Sequence, residues 1–196
     1  MKKVYVFWDN SNVFIGAQAA FREAQKAFPY SARLDFKNLY RLAVVGRDVG
    51  GAYCVGSVPP ELSAVWKILE KNTGIVPELF ERGADSGREQ AIDQALQVHM
   101  LRAMADADEP GIAVLLTGDG SGYMTGVGFH SDLERMHHKG WGIEVLSWEV
   151  CCNARMQNWA QEVGVFVRLE DLIDQIVFEQ NGMKVPDINL KSRRTV

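Results

Sequence analysis

The sequence predicts an α/β fold in which a largely parallel sheet carries helices on both faces. Short apolar runs alternate along the chain with segments whose apolar residues recur at helical spacing. Most of these runs are continuously apolar, as in strands that are covered on both sides of a sheet. Such alternation over 196 residues, 47% of them hydrophobic, suits one domain with a substantial core.

Five runs have the length and composition of buried strands, and a sixth is weaker. The weak one, Ile75–Phe80, contains Pro77, which cannot donate a hydrogen bond within a sheet. The five stronger strands are predicted at Val4–Trp8, Gly51–Val58, Gly111–Leu116, Gly142–Ser147 and Val163–Val167.

Five segments between the strands show helical periodicity. Asp35 can cap the first of them, and Pro60 suits the first turn of the second. The third places Leu96 and Met100 on one stripe. The predicted helices are Asp35–Val45, Pro59–Lys71, Glu89–Ala105, His130–His138 and Val150–Gln161.

Helical periodicity is lost after Phe178, and the last six residues, KSRRTV, are strongly basic. We therefore expect an α/β domain over residues 1–178 and a mobile or partner-dependent tail over residues 179–196. The last predicted helix carries apolar residues that could be buried within the domain or in a homodimer. A protein partner that contributes specificity is also possible.

Composition excludes several classes of protein. The three cysteines, of which Cys151 and Cys152 are adjacent, fit neither a disulfide framework nor a CxxC zinc site. A formal net charge of −4 argues against wholesale binding to a polyanion, although a local basic groove stays open. The apolar runs are too short for a membrane span or a signal peptide, so we expect a cytoplasmic protein.

Acidic side chains follow two of the predicted strands. Asp9 ends the first strand in VYVFWDNSNVFIG, and Asp119 follows the strand in GIAVLLTGDG. Parallel sheets bind ligands in the crevice beyond the carboxyl ends of their strands, so the two aspartates could face one crevice. Alternatively, Asp9 is a turn residue or helix N-cap, and Asp119 belongs to a glycine-rich loop.

A third carboxylate comes from the segment SGREQAIDQALQVHML. Glu89 and Asp93 lie four residues apart, with Gln97 next on the same helix face. Glu89 fits a solvated face, whereas the core-like neighbours of Asp93 indicate a position near the sheet. His99 lies on another face of the helix, where we expect a buried, hydrogen-bonded histidine rather than an acid or base.

Clustered carboxylates need a bound cation or a raised pKa, because their charges repel one another. Oxygen donors without a competing Cys or His cluster suit Mg²⁺ or Mn²⁺. Such an ion can activate water and neutralise a phosphodiester. The glycine-rich run TGDGSGYMTGVG matches no nucleotide-binding loop, but Thr117 and Ser121 offer hydroxyl groups within it.

Four segments, taken in order, resemble the NYN family of PIN-like ribonucleases: VYVFWDNSNVFIGAQ, LDFKNLYRLA, REQAIDQALQVHML and AVLLTGDGSGY. The resemblance implies a three-layer, Rossmann-like fold that hydrolyses RNA phosphodiesters with a metal ion. It also implies that Asp9, Asp93 and Asp119 are catalytic and bind the metal, and that Asn12 supports the first aspartate and nearby substrate.

Two positions depart from the family pattern. His99 stands where an acidic residue is common, and Ser121 replaces the second aspartate of a GDxD pattern. We expect one ion held by three carboxylates and water, with Ser11, Thr117 and Ser121 contacting the RNA. The alternative is a degenerate NYN fold that binds RNA or a protein without cutting it.

RNA also requires positive charge and surfaces for stacking. Lys37 and Arg41 share a face of one predicted helix. Trp141 and Tyr123 are aromatic residues that could stack on bases. These side chains and the basic tail are the predicted sources of RNA affinity.

Overall fold

The computed structural model describes residues 2–24, 31–58, 63–81, 87–117, 126–179 and 185–196. Its strands are β1 (Val4–Asp9), β2 (Ala32–Leu34), β3 (Val49–Val58), β4 (Glu78–Glu81), β5 (Ile112–Thr117), β6 (Gly142–Ser147), β7 (Val165–Arg168) and β8 (Val177–Glu179). Its helices are α1 (Asn10–Glu23), α2 (Phe36–Val44), α3 (Ser63–Thr73), α4 (Gly87–Asp106), α5 (Phe129–His138), α6 (Ala154–Val163) and α7 (Ile173–Ile176), with a 3-10 turn at Leu169–Leu172. The predicted start of α3, Pro59, lies outside the described residues. No helix within them is both long and apolar enough to cross a bilayer.

Six parallel strands form the central sheet, in the order β4-β3-β1-β5-β6-β7. Strand β1 lies in the middle, paired with β3 on one side and with β5 on the other. All six predicted strands are present, and the weak one is confined to Glu78–Glu81. Because Pro77 precedes this strand, it removes no hydrogen bond from the sheet.

Alternating side chains of β1 enter two separate hydrophobic cores. Trp8 belongs to the core that also contains Leu39 of α2, and Phe7 belongs to the core that contains Leu96 and Met100 of α4. Helices α1, α2 and α3 cover the first face of the sheet, whereas α4, α5 and α6 cover the second. The predicted α/β fold with helices on both faces of a parallel sheet is therefore confirmed.

Helix α1 has no counterpart in the sequence prediction. The polar run Asn10–Asn12 is typical of turns, but it forms the first turn of a helix capped by Asp9. The helix lies very close to the end of β6, since a Cβ on Gly16 would approach Trp148 Cδ1 to 2.3 Å. The indole N–H of Trp148 also donates to Val13 O at 2.8 Å and fixes α1 to this loop.

Helix α6 begins at Ala154, later than the predicted start at Val150. Asn153 caps it, because its side chain accepts a hydrogen bond from Arg155 N at 2.9 Å. Val150 packs against the core from a turn, so apolar periodicity extends beyond the helix. Helix α2, by contrast, begins directly after Asp35, which caps it as predicted.

Residues 185–196 pack against the domain, in the part of the chain where the sequence predicts a mobile or partner-dependent tail, so a mobile tail is wrong for these residues. Ile188 is 5% exposed. The amide of Asn38, a residue that is 2% exposed, donates to Gln175 O at 2.6 Å and to Pro186 O at 2.8 Å. These partners are far apart in sequence, so local periodicity does not reveal that the segment is held in place.

We expect Asn38→Ala to lower the free energy of unfolding by about 1–3 kcal/mol, because the carbonyls of Gln175 and Pro186 lose this donor. Urea denaturation followed by circular dichroism measures the change. Asn158→Ala is the matched control, since Asn158 is exposed on α6 and surface substitutions usually stay within about 0.5 kcal/mol. Equal effects of the two substitutions would contradict the role of Asn38.

A buried ion cluster attaches the same C-terminal segment to β6. Glu144 is fully buried, and Arg47 Nη1 and Nη2 donate to its two carboxylate oxygens at 2.7 and 2.9 Å. Arg193 Nη2 and Val196 N donate to the same carboxylate. Burial alone would raise the pKa of Glu144, but the hydrogen bond from Arg47 and the charges of Arg193 and Arg47 outweigh it and lower the pKa.

Candidate functional site

The carboxylate of Asp9 lies at the carboxyl end of the central strand β1 and is 1% exposed. Its Oδ1 accepts a hydrogen bond from Asn12 N at 3.0 Å, and its Oδ2 accepts one from Asn12 Nδ2 at 2.7 Å. Each oxygen keeps further acceptor capacity after these bonds. The carboxylate is therefore held in a fixed orientation and can still bind a cation.

The cap at Asp35 shows what a purely structural version of this motif looks like. Asp35 Oδ1 accepts from Asn38 N at 2.8 Å, with the same three-residue spacing as in Asp9 and Asn12. The amide of Asn38, however, donates to backbone carbonyls of other segments. Capping requires only the backbone bond, so the side-chain bond from Asn12 serves the orientation of Asp9.

The negative charge of Asp9 affects the pKa of Cys54 on the neighbouring strand β3. Burial raises the pKa of the Cys54 thiol well above its ordinary value, and the negative charge of Asp9 raises it further. A neutral thiol is a poor nucleophile and a poor metal ligand. Cys54 therefore does not supply the chemistry of this site.

Thr117 ends β5, the strand beside β1. The register pairs Trp8 with Leu116, so Asp9 and Thr117 follow at the same level of the sheet. Alternation along the strands directs both side chains toward the face that α4 and α5 cover. Thr117 is fully buried, and its Oγ1 has no hydrogen-bond partner among the described residues. Since buried hydroxyl groups usually have partners, this one suits a bound ligand.

Ser11 in the first turn of α1 contacts the end of β3. Its Oγ accepts a hydrogen bond from Ser57 N at 3.2 Å and lies 3.4 Å from Ser57 Oγ. Ser57 was not predicted as part of the site, although it stands at the end of a predicted strand, as Asp9 does. The contact places a second hydroxyl at the same edge of the sheet.

Asp93 is partly buried in the N-terminal half of α4. Helix α4 connects two parallel strands and runs opposite to them, so this half lies toward the carboxyl edge of the sheet. Gln97, one turn later, donates to Asp132 Oδ2 of α5 at 2.6 Å. This face of α4 is therefore directed toward α5.

His99 has two structural partners. Its Nε2 lies 3.0 Å from Glu78 Oε2, and its ring stacks on Tyr53 with centroids 4.5 Å apart. The histidine is thus hydrogen-bonded, as predicted, but it is only partly buried. These two contacts hold α4 against β3 and β4, and they do not involve Asp93.

Asp119 and Ser121 lie outside the described residues, so their roles stay predictions. Within the described ranges, no three His, Cys, Asp or Glu side chains are grouped to hold a metal ion. The chemistry of the donors that are described nevertheless fits a hard divalent cation. The Asp9 carboxylate is preoriented by Asn12, as metal ligands commonly are, and its oxygens are of the kind that hard cations prefer.

Three of the predicted sources of RNA affinity, Lys37, Arg41 and Trp141, have other partners, and Tyr123 lies outside the described residues. Lys37 and Arg41 both pair with Asp187, at 3.1 Å each. Trp141 is 3% exposed and packs edge-on against Tyr5, so it cannot stack on a base. That prediction is wrong for Trp141, because core packing uses its ring.

The model of one protein family, the NYN domain, matches residues 3–164 of the chain. This range begins just before β1 and ends just after α6, so it contains the edge of the sheet at which Asp9, Thr117 and Asp93 are found. Among curated proteins, none matches the chain significantly in sequence.

Proposed function

The chain belongs to the NYN domain family, a PIN-like, nuclease-type module associated with RNA, and we propose that it is a metal-dependent endoribonuclease. The observation that carries the proposal is the Asp9 carboxylate, 1% exposed at the carboxyl end of the central strand. Two hydrogen bonds from Asn12 orient it. A helix cap alone does not require the second of these bonds.

In this proposal Asp9, Asp93 and Asp119 hold one Mg²⁺ or Mn²⁺ ion. Their oxygen donors are those that both ions prefer. When bound, the ion would activate a water molecule and offset the negative charge on the phosphate oxygens. Clustered carboxylates also repel one another in the absence of a cation, which favours binding of the ion.

Residues of the chain itself would bind and orient the RNA phosphate. Thr117 Oγ1 is buried without a partner among the described residues and can donate to a phosphate oxygen. Ser11 Oγ accepts from Ser57 N, so its own hydroxyl hydrogen can turn toward the phosphate. Ser121 would add a third hydroxyl. The N-terminus of α1, which is the positive end of its helix dipole, lies directly after Asp9 and favours the binding of an anion.

Metal removal tests the proposal directly. We expect the protein to cleave a mixed pool of labelled RNAs with Mn²⁺ or Mg²⁺, to stop in EDTA, and to recover when Mn²⁺ is added in excess. Ligation of the products to a 3′-hydroxyl acceptor detects 5′-phosphate ends. RNA binding without cleavage, together with no heat of Mn²⁺ binding in calorimetry, would contradict the enzyme and indicate a binding module.

A further inference from the structure

Among the described residues, a partly buried hydrogen bond that the proposed reaction does not yet use joins helices α4 and α5. Gln97 Nε2 of α4 donates to Asp132 Oδ2 of α5 at 2.6 Å. Asp132 lies in the first turn of α5 and is 3% exposed. A carboxylate buried to this extent needs hydrogen-bonding partners, so the contact fixes how the two helices meet.

The other carboxylate oxygen of Asp132 bonds to Arg135, and Arg135 in turn bonds to the glycine-rich segment. Arg135 Nη1 donates to Asp132 Oδ1 at 2.8 Å, and Arg135 Nη2 donates to Gly126 O at 2.9 Å. Gly126 has a φ of 71° and is the first described residue of that segment after residues 118–125. A continuous chain of hydrogen bonds therefore runs from α4 through α5 to Gly126.

Asp93 lies one helical turn before Gln97, on the same face of α4. Leu96 and Met100 anchor the helix in the core beneath, but apolar packing is not directional. A hydrogen bond depends strongly on angle and distance. The bond from Gln97 to α5, together with the bond from His99 to Glu78 on another face of the helix, therefore constrains the rotation of α4 about its axis.

We propose that Gln97 and Asp132 are positioning residues, which hold Asp93 in the orientation that metal binding requires. This inference rests on the proposed function, because it concerns the same metal site. Neither side chain needs to touch the ion or the RNA. They act through α4, because fixing this helix fixes the position of Asp93. Residues that hold metal ligands in place without touching the metal commonly change its affinity.

Calorimetric titration with Mn²⁺ in the absence of RNA tests the proposal on the full chain. We expect Gln97→Leu to weaken Mn²⁺ binding roughly tenfold, the low end of the effect of outer partners, and to raise the half-saturating Mn²⁺ concentration for cleavage equally. Gln94→Leu is the matched control, because Gln94 is exposed on the same helix. It should bind Mn²⁺ as the wild type does.

The double variant Gln97→Leu/Asp132→Leu separates positioning from stability. Removing both partners leaves no buried group without a hydrogen bond, so the urea midpoint should return close to the wild-type value. Mn²⁺ affinity should nevertheless stay about tenfold weaker. Recovery of affinity together with stability would overturn the inference, as would unchanged affinity in Gln97→Leu. A wild-type protein that neither binds Mn²⁺ nor cleaves RNA would instead overturn the proposed function and this inference with it.

Discussion

Asp9→Asn is expected to reduce metal-dependent RNA cleavage at least ~100-fold, which corresponds to about 2.7 kcal/mol of transition-state stabilisation. The substitution removes a charged ligand from the proposed metal site without removing the helix cap, because asparagine is also a favoured N-cap. The amide of Asn12 can flip to present its oxygen to the new NH₂ group. Activity should thus be lost while α1 stays in place.

Single-turnover cleavage at saturating Mn²⁺ measures this effect, and circular dichroism verifies the fold. The chain offers a closely matched control in Asp35→Asn, which makes the same change at an N-cap with the same spacing to an asparagine. That variant should cleave RNA at the wild-type rate. Equal loss of activity in both variants would show that the effect arises from helix capping and would contradict a metal site at Asp9.

Glu144→Ala is expected to lower the free energy of unfolding by about 3–5 kcal/mol, the range for breaking a buried ion pair from one side. The side chain of Arg193 is 2% exposed, and among the described residues it would keep backbone carbonyls but no carboxylate as acceptors. Glu144→Leu/Arg193→Met removes the carboxylate and the more buried of its two arginines and should recover part of the loss. Arg47, whose side chain is 12% exposed, still loses its carboxylate partner in this variant. Urea denaturation at neutral pH measures all of these values.

The exposed ion pair of Asp187 with Lys37 supplies the control for this substitution. Solvent screens such pairs, so Asp187→Ala should move the urea midpoint far less than Glu144→Ala does. An equal shift would contradict the importance of burial. A small effect of Glu144→Ala would show that the C-terminal segment contributes little to stability.

The stability supplied by Glu144 also depends on pH. Its pKa is lowered in the folded protein, so the contribution is complete above the unfolded pKa of about 4.3. It is lost as the pH falls through the lower, folded pKa, because protonation then favours the unfolded chain. Acid titration should therefore destabilise the wild type more than Glu144→Leu/Arg193→Met in this range.

Features that depend on neighbours in sequence are predictable here, and those that depend on tertiary contacts are not. The six strands, the cap at Asp35 and the pairing of Asp9 with Asn12 each lie within a few residues. Helix α1 is missed because its first turn has the composition of a loop. The segment around Arg193 is missed because Glu144 lies 49 residues away.

The residues of the candidate site also differ in whether nearby sequence is enough to predict them. Asp9, Thr117 and Ser57 can be found as polar residues at the ends of strands, although Ser57 gives only this weak signal. The bond between Gln97 and Asp132 joins residues 35 positions apart and depends on how two helices pack. Periodicity identifies the face of α4 that is buried, but it does not identify the side chain that meets it.

The close contact of Gly16 with Trp148 determines how the site can respond to RNA. A side chain at residue 16 would collide with Trp148, and the indole N–H of Trp148 donates to Val13 O, so α1 is packed closely against the segment that follows β6. Asp9 thus lies at the N-terminus of a helix that these contacts hold in place. An RNA phosphate would meet dipoles that are already oriented, and little energy would be spent on rearranging them during the reaction.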